Sequence, residues 1–80
     1  MADARLGEAE SALREGRPSV AIALASAVLA LPTAVPQTHR RALFLRAQAH
    51  EELRDLPRAI IDLRAALAID GRDARTHNRL

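Results

Sequence analysis

Apolar residues recur along this chain at helical spacing in four stretches, separated by glycine and proline. The first stretch runs from about Asp3, which is placed to cap a helix, to Glu15, with Glu10 and Arg14 forming an i, i+4 pair. Gly16 follows, suited to the left-handed backbone that ends a helix. Pro18 stands where a second helix begins, since its missing N–H costs nothing in a first turn, and Ser19 falls in the cap or first turn. That helix is expected to end near Leu31. Pro32 and Pro36 bracket a linker of Thr33, Ala34, Val35 and Gln37 in which helix is not expected to continue, and Thr38 is the expected cap of the third helix. From about His39 to Leu53, Ala42, Leu43, Phe44, Ala47 and Ala49 cover one broad side, while Arg46, Gln48, Glu51, Glu52 and Arg54 occupy much of the rest. Pro57 opens a fourth helix with the stripe Ala59, Ile60, Leu63, Ala66 and Leu67, leaving Arg58, Asp62 and Arg64 to face outward. Asp70–Gly71 is expected to end it, and Asp73 to cap a further helical start from Ala74 to Leu80. The core is expected to include Ala9, Ala21, Leu24, Val28, Ala47, Ala59, Leu63 and Leu67.

Composition supports an all-α fold of antiparallel helical hairpins. Alanine and leucine fill 30 of 80 positions, β-branched residues are sparse, and Phe44 is the single aromatic. A chain this short holds one domain, residues 2–80, and is too small for a two-domain enzyme. Without cysteine there is no disulfide framework or thiolate chemistry. The longest apolar stretch, Val20 to Leu31, interrupted only by Ser26, is shorter than the roughly 20 residues of a spanning helix, and the acidic stretch before it is the wrong charge for an export signal. A cytoplasmic protein with no membrane partner is expected.

Charge changes this picture little. Twelve arginines and no lysine raise the isoelectric point to about 11.0, yet the formal net charge is only +2. Arg5, Arg14, Arg46, Arg54, Arg58 and Arg64 alternate with Asp3, Glu8, Glu10, Glu15, Glu51, Glu52, Asp55 and Asp62, the mixture of a solvated surface. A nucleic-acid binder would gather its arginines on one face, and one phenylalanine cannot stack successive bases, so no nucleic-acid partner is expected.

Pairing each residue with the one 38 later aligns Ala4 with Ala42, Ala9 with Ala47, Ala21 with Ala59, Ile22 with Ile60 and Leu29 with Leu67. The shared plan is helix, short turn with proline, apolar helix, then a break. In this respect the chain resembles the tetratricopeptide repeat family, whose 34-residue pattern is W-x-x-L-G-x-x-Y, then A-x-x-x-F, then P. Over residues 40–73, Leu43 stands at the tryptophan, Ala47 at the glycine, His50 at the tyrosine, Ala59 at the alanine, Leu63 at the phenylalanine and Gly71 at the proline, while Arg46 departs from leucine. Residues 2–35 form a degenerate first unit, with Arg5 at the tryptophan and Ala25 at the phenylalanine. Sliding its first helix by one turns Leu6, Ala9 and Leu13 inward, the preferred register. Residues 74–80 would start a third helix pair.

The resemblance implies a short right-handed solenoid acting as a scaffold or adaptor, with the first helix of each unit lining a concave groove for a peptide or partner helix. The positions so implied are Arg14, Arg41, Phe44, Gln48, Glu51 and Glu52, with Glu10 also available. Phe44 is open between groove and core. Members that clamp a C-terminal carboxylate do so with Lys, Asn and Arg, where this chain has Leu6, Glu10 and Leu45 beside Arg75 and Arg79, so that clamp is not expected. The alternative is a regulatory or recruiting repeat segment of a longer enzyme or transcription regulator. Solenoids generally need three or more repeats, so the chain is expected either to continue or to self-associate through Leu56, Ile60, Leu67 and the C-terminal stub.

No catalytic, metal or cofactor chemistry is expected. His50-Glu51-Glu52-Leu53-Arg54 begins like H-E-x-x-H but has arginine where the second ligand belongs, and His39, His50 and His77 are far apart. Gly7, Gly16 and Gly71 make no phosphate loop, and Ser11, Ser19 and Ser26 lack the G-x-S-x-G setting. Ser26 is expected to bond back to its own helix.

Overall fold

The computed structural model describes residues 2–32 and 35–78, and side chains within 3–32 and 35–69. Thr33 and Ala34 of the linker, Arg79 and Leu80, and the side chain of Arg75 lie outside them. The described residues form four helices and no strand: α1 (Ala2–Arg14), α2 (Pro18–Leu29), α3 (Pro36–Glu52) and α4 (Leu56–Asn78).

The turns within the two hairpins share one construction. After α1, Gly16 N–H donates to Leu13 O at 3.1 Å and Arg17 N–H to Ala12 O at 2.8 Å; after α3, Arg54 N–H donates to Glu51 O at 3.0 Å and Asp55 N–H to His50 O at 2.8 Å. Each pair is a Schellman closure, which satisfies carbonyls that the helix end would otherwise leave without donors. Both are followed by a bond that opens the next helix, Ala21 N–H to Arg17 O and Ala59 N–H to Asp55 O. Every member of one set lies 38 residues from its counterpart, so the sequence period is repeated in the backbone hydrogen bonds.

A left-handed residue is required in each turn. Gly16 supplies it at φ 75°, whereas Arg54 supplies it at φ 63° and carries the steric cost of a Cβ there. Arg54→Gly is expected to raise stability by about 0.5–1 kcal/mol, the relief exceeding the freedom glycine adds to the unfolded chain. Urea denaturation checks this, and an unchanged or lower midpoint would contradict it.

The helix starts differ from three expectations. α1 begins at Ala2, so Asp3 lies in the first turn, where its charge complements the helix dipole, and does not cap. Pro36 opens α3 after an extended Val35, because a proline in the first turn removes an N–H that has no intrahelical partner, and Thr38 is therefore inside the helix. α4 begins one residue before Pro57, with Asp55 Oδ1 accepting from Arg58 N–H at 3.4 Å. At the other end α4 runs unbroken through Asp70–Gly71 to Asn78. A single helical glycine costs only about 1 kcal/mol, and no proline follows Gly71 as Pro18 follows Gly16 to force the stop.

Each helix packs on the next, α1 also touches α3, and α4 touches only α3 among the described elements. One core joins Leu6, Ala9 and Ala12 of α1 to Ala21, Ala25 and Val28 of α2 and Ala42, Leu45 and Ala49 of α3. Leu6 and Ala9 are fully buried and Leu13 packs against this core, as the slid register requires. Leu43, Ala47, Ala59 and Ala66 are buried as well. Alanines at these positions let helix axes approach closely, which concentrates the core in a few larger side chains. Of the expected core, Ala9, Ala21, Val28, Ala47 and Ala59 are buried, Leu24 and Leu63 partly so. Leu67 is not: it is 56% exposed, because α4 has a neighbour on one side only.

Candidate partner-binding face

The face shared by α1 and α3 receives all six residues that the family resemblance singles out, in two shallow depressions. Arg14, Gln48, Glu51 and Glu52 line one, of about 450 Å³, with Leu13 at its apolar edge. Arg41 and Phe44 line the other, of about 370 Å³, with Asp3, Leu6, Gln37, Thr38 and Arg40. Phe44 is thus half-buried at the rim, neither inside the core nor free of it. Arg40 lies one helical turn before it, its guanidinium carbon 6.0 Å from the ring centroid, within cation–π range.

Between the depressions, Arg41 Nη2 donates to Glu10 Oε2 at 2.6 Å, tying α3 to α1. This hydrogen bond holds the Glu10 carboxyl below its usual range, assisted by the charges of Arg41 and Arg14 and opposed by partial desolvation. Arg14 also donates to Ser11 Oγ at 3.4 Å.

The face is electrically polar along α3. Arg40 and Arg41 occupy its early turns, and Glu51 and Glu52 are its last two residues. Charges so arranged add to the helix dipole and do not oppose it, an order that disfavours the isolated helix.

A second cluster lies on the opposite side of α3, where sequence reasoning expected solvent. Arg46 and Asp62 were both assigned outward positions, yet Asp62 is 4% exposed. Arg46 donates from Nε to Asp62 Oδ2 at 2.8 Å and from Nη2 to Oδ1 at 2.9 Å, the two-pronged pairing of guanidinium with carboxylate. Its Nη1 donates to Ser26 Oγ of α2 at 3.1 Å, so Ser26 serves the joint between helices and not, as expected, its own carbonyl ladder. Buried His50 brings Nε2 to 3.6 Å from Asp62 Oδ2. The Asp62 hydrogen bond raises the Arg46 pKa further above its ordinary value, against the pull of desolvation. Around these groups Ile22, Arg58 and Ile61 complete a depression of about 300 Å³.

This arrangement fastens α2, α3 and α4 together. Its carboxylate is occupied on both oxygens by Arg46, and Ser26 Oγ receives a proton donor, an interaction that draws electron density away from a hydroxyl. Two signals could have revealed it. Arg46 stands at the one family position where a buried leucine is replaced, and Asp62 lies three residues after Ala59 and four before Ala66, on their face of the helix. Among the described residues, no three or more His, Cys, Asp or Glu side chains converge on a cation site.

No described helix is long and apolar enough to cross a membrane. No protein-family model, curated protein or solved structure matches this chain.

Proposed function

We propose that this chain is a non-catalytic protein-binding module, its two hairpins stacked in the right-handed manner of tetratricopeptide repeats, holding a peptide or partner helix along the α1–α3 face. The observation that supports this reading most directly is the polarity of that face. Arg40, Arg41 and Phe44 lie at one end, Glu51 and Glu52 at the other, with an apolar edge at Leu13. At 1.5 Å per residue, Arg41 and Glu52 stand about 16 Å apart along α3. The matching partner carries a basic group for Glu52 and, about eleven residues away on a helix or five on an extended strand, an acidic group that shares Arg41 with Glu10, with an apolar side chain between them for Phe44.

The experiment is to retain a partner on the immobilised chain and compare Phe44→Ala with Glu51→Arg, after circular dichroism has shown each to be folded. Each variant is expected to weaken retention by about tenfold or more, since each removes contact at one end of the face. Undiminished binding by both would remove this face as the site.

A further inference from the structure

The first hairpin shows how the open side of the second is meant to be covered. In α2, Ile22 and Leu29 pack against the core beneath α3, whose contributing residues there are Ala42, Leu45 and Ala49. Their counterparts 38 residues later, Ile60 and Leu67 of α4, are 49% and 56% exposed. Beside them Leu56 is 56% exposed, so one side of α4 presents an uncovered apolar strip.

The element suited to that strip is present at the opposite end of the same chain. Moving the covering face of α3 back by 38 residues turns Ala42, Leu45, Arg46 and Ala49 into Ala4, Gly7, Glu8 and Ser11 of α1. Ala4 and Glu8 are exposed, and a Cβ placed on Gly7 would meet nothing within 4 Å. The α1 face is therefore open, and small enough in its side chains for a helix to approach.

Charge selects this pairing over two α4 helices back to back. The joint between α2 and α3 is bridged by Arg46 and Ser26. Shifted by the same 38 residues, that bridge becomes Glu8 on α1 opposite Arg64 on α4, an acid opposite a base. Both are exposed, and neither has an ion-pair partner among the described residues. Pairing α4 with α4 would instead crowd Arg58 and Arg64 against their own copies.

We propose that the chain associates head to tail with itself, α1 of one copy seating on α4 of the next as α3 seats on α2, with Glu8 of one copy beside Arg64 of the other. Such an interface uses different surfaces on the two copies and so extends beyond a dimer unless it closes into a ring. It leaves the α1–α3 face clear, and so stands apart from the peptide-binding proposal.

Sedimentation velocity of the whole chain from micromolar to millimolar concentration, with Glu8→Arg and Arg64→Glu alone and mixed, is the test. The wild-type mass is expected to rise with concentration, and each charge reversal, folded by circular dichroism, to weaken association by about tenfold or more. An equimolar mixture of the two variants restores it, because one joint is then native and the other has both charges exchanged. A wild-type chain that stays monomeric, a dimer indifferent to both reversals, or a mixture no stronger than its components would each overturn the proposal.

Discussion

Leu6→Ala is expected to cost about 2–5 kcal/mol, the loss of a buried leucine together with the cavity left behind. Leu6 has 0% exposure and is, with Val28, one of the two largest fully buried side chains of the described structure. Its neighbours in the core are mostly alanines, which have no longer rotamers with which to fill the space. At roughly 0.05–0.15 kcal/mol per residue the whole fold is worth about 4–12 kcal/mol, so this one change can remove much of it. Leu63→Ala is the useful contrast, since Leu63 stands where the resembled repeat pattern has phenylalanine but is only partly buried. Urea denaturation followed by circular dichroism should rank Leu6→Ala well below Leu63→Ala. The reverse order would mean that the α3–α4 contact, and not the three-helix core, dominates stability.

The second large effect is expected at Arg46 and Asp62. Asp62→Leu leaves the Arg46 guanidinium without its carboxylate, and Arg46→Leu leaves a carboxylate whose side chain is 5% exposed without its guanidinium. Breaking a well-buried pair costs about 3–5 kcal/mol; with Arg46 26% exposed to water, about 2–4 kcal/mol is the expectation for either change. Replacing both residues by leucine should return most of that loss, because an apolar pair needs no compensation for lost hydration. A double-mutant cycle in urea isolates the coupling. Additive losses would show that the two residues contribute through packing alone.

What the sequence made legible, and what it did not, divides along a physical line. Gly16 and the prolines at 18, 36 and 57 mark helix ends because their backbone restrictions act locally, so the four helices could be placed to within a few residues except at the C-terminal end of α4, which runs past the expected break at Asp70–Gly71 to Asn78. Which side of each helix turns inward is less local. Alanine satisfies both a buried and an exposed position, so the abundance of alanine leaves the rotation of α4 open. Of the expected stripe, Ala59 and Ala66 are buried, with Asp62 beside them, whereas Ile60 and Leu67 are exposed. Asp62 was unreadable by hydropathy because its burial depends on an arginine sixteen residues away. On the α1–α3 face the prior grouping held together spatially, since its residues recur at helical spacing on two helices that touch. The Arg41–Glu10 tie that divides the face was not foreseen, being a contact between residues 31 apart.

That α4 rests on α3 alone bears on how the molecule breathes. Detaching α4 disrupts a single helix pair and leaves the core of α1, α2 and α3 closed. Amide protons of α4 should therefore exchange with solvent through a partial opening, at a lower free energy than those of α3, which only global unfolding exposes. The Arg46–Asp62 pair then acts as a latch on that motion: each opening separates the two charges, and anything that seats on the free side of α4 slows the exchange of its backbone.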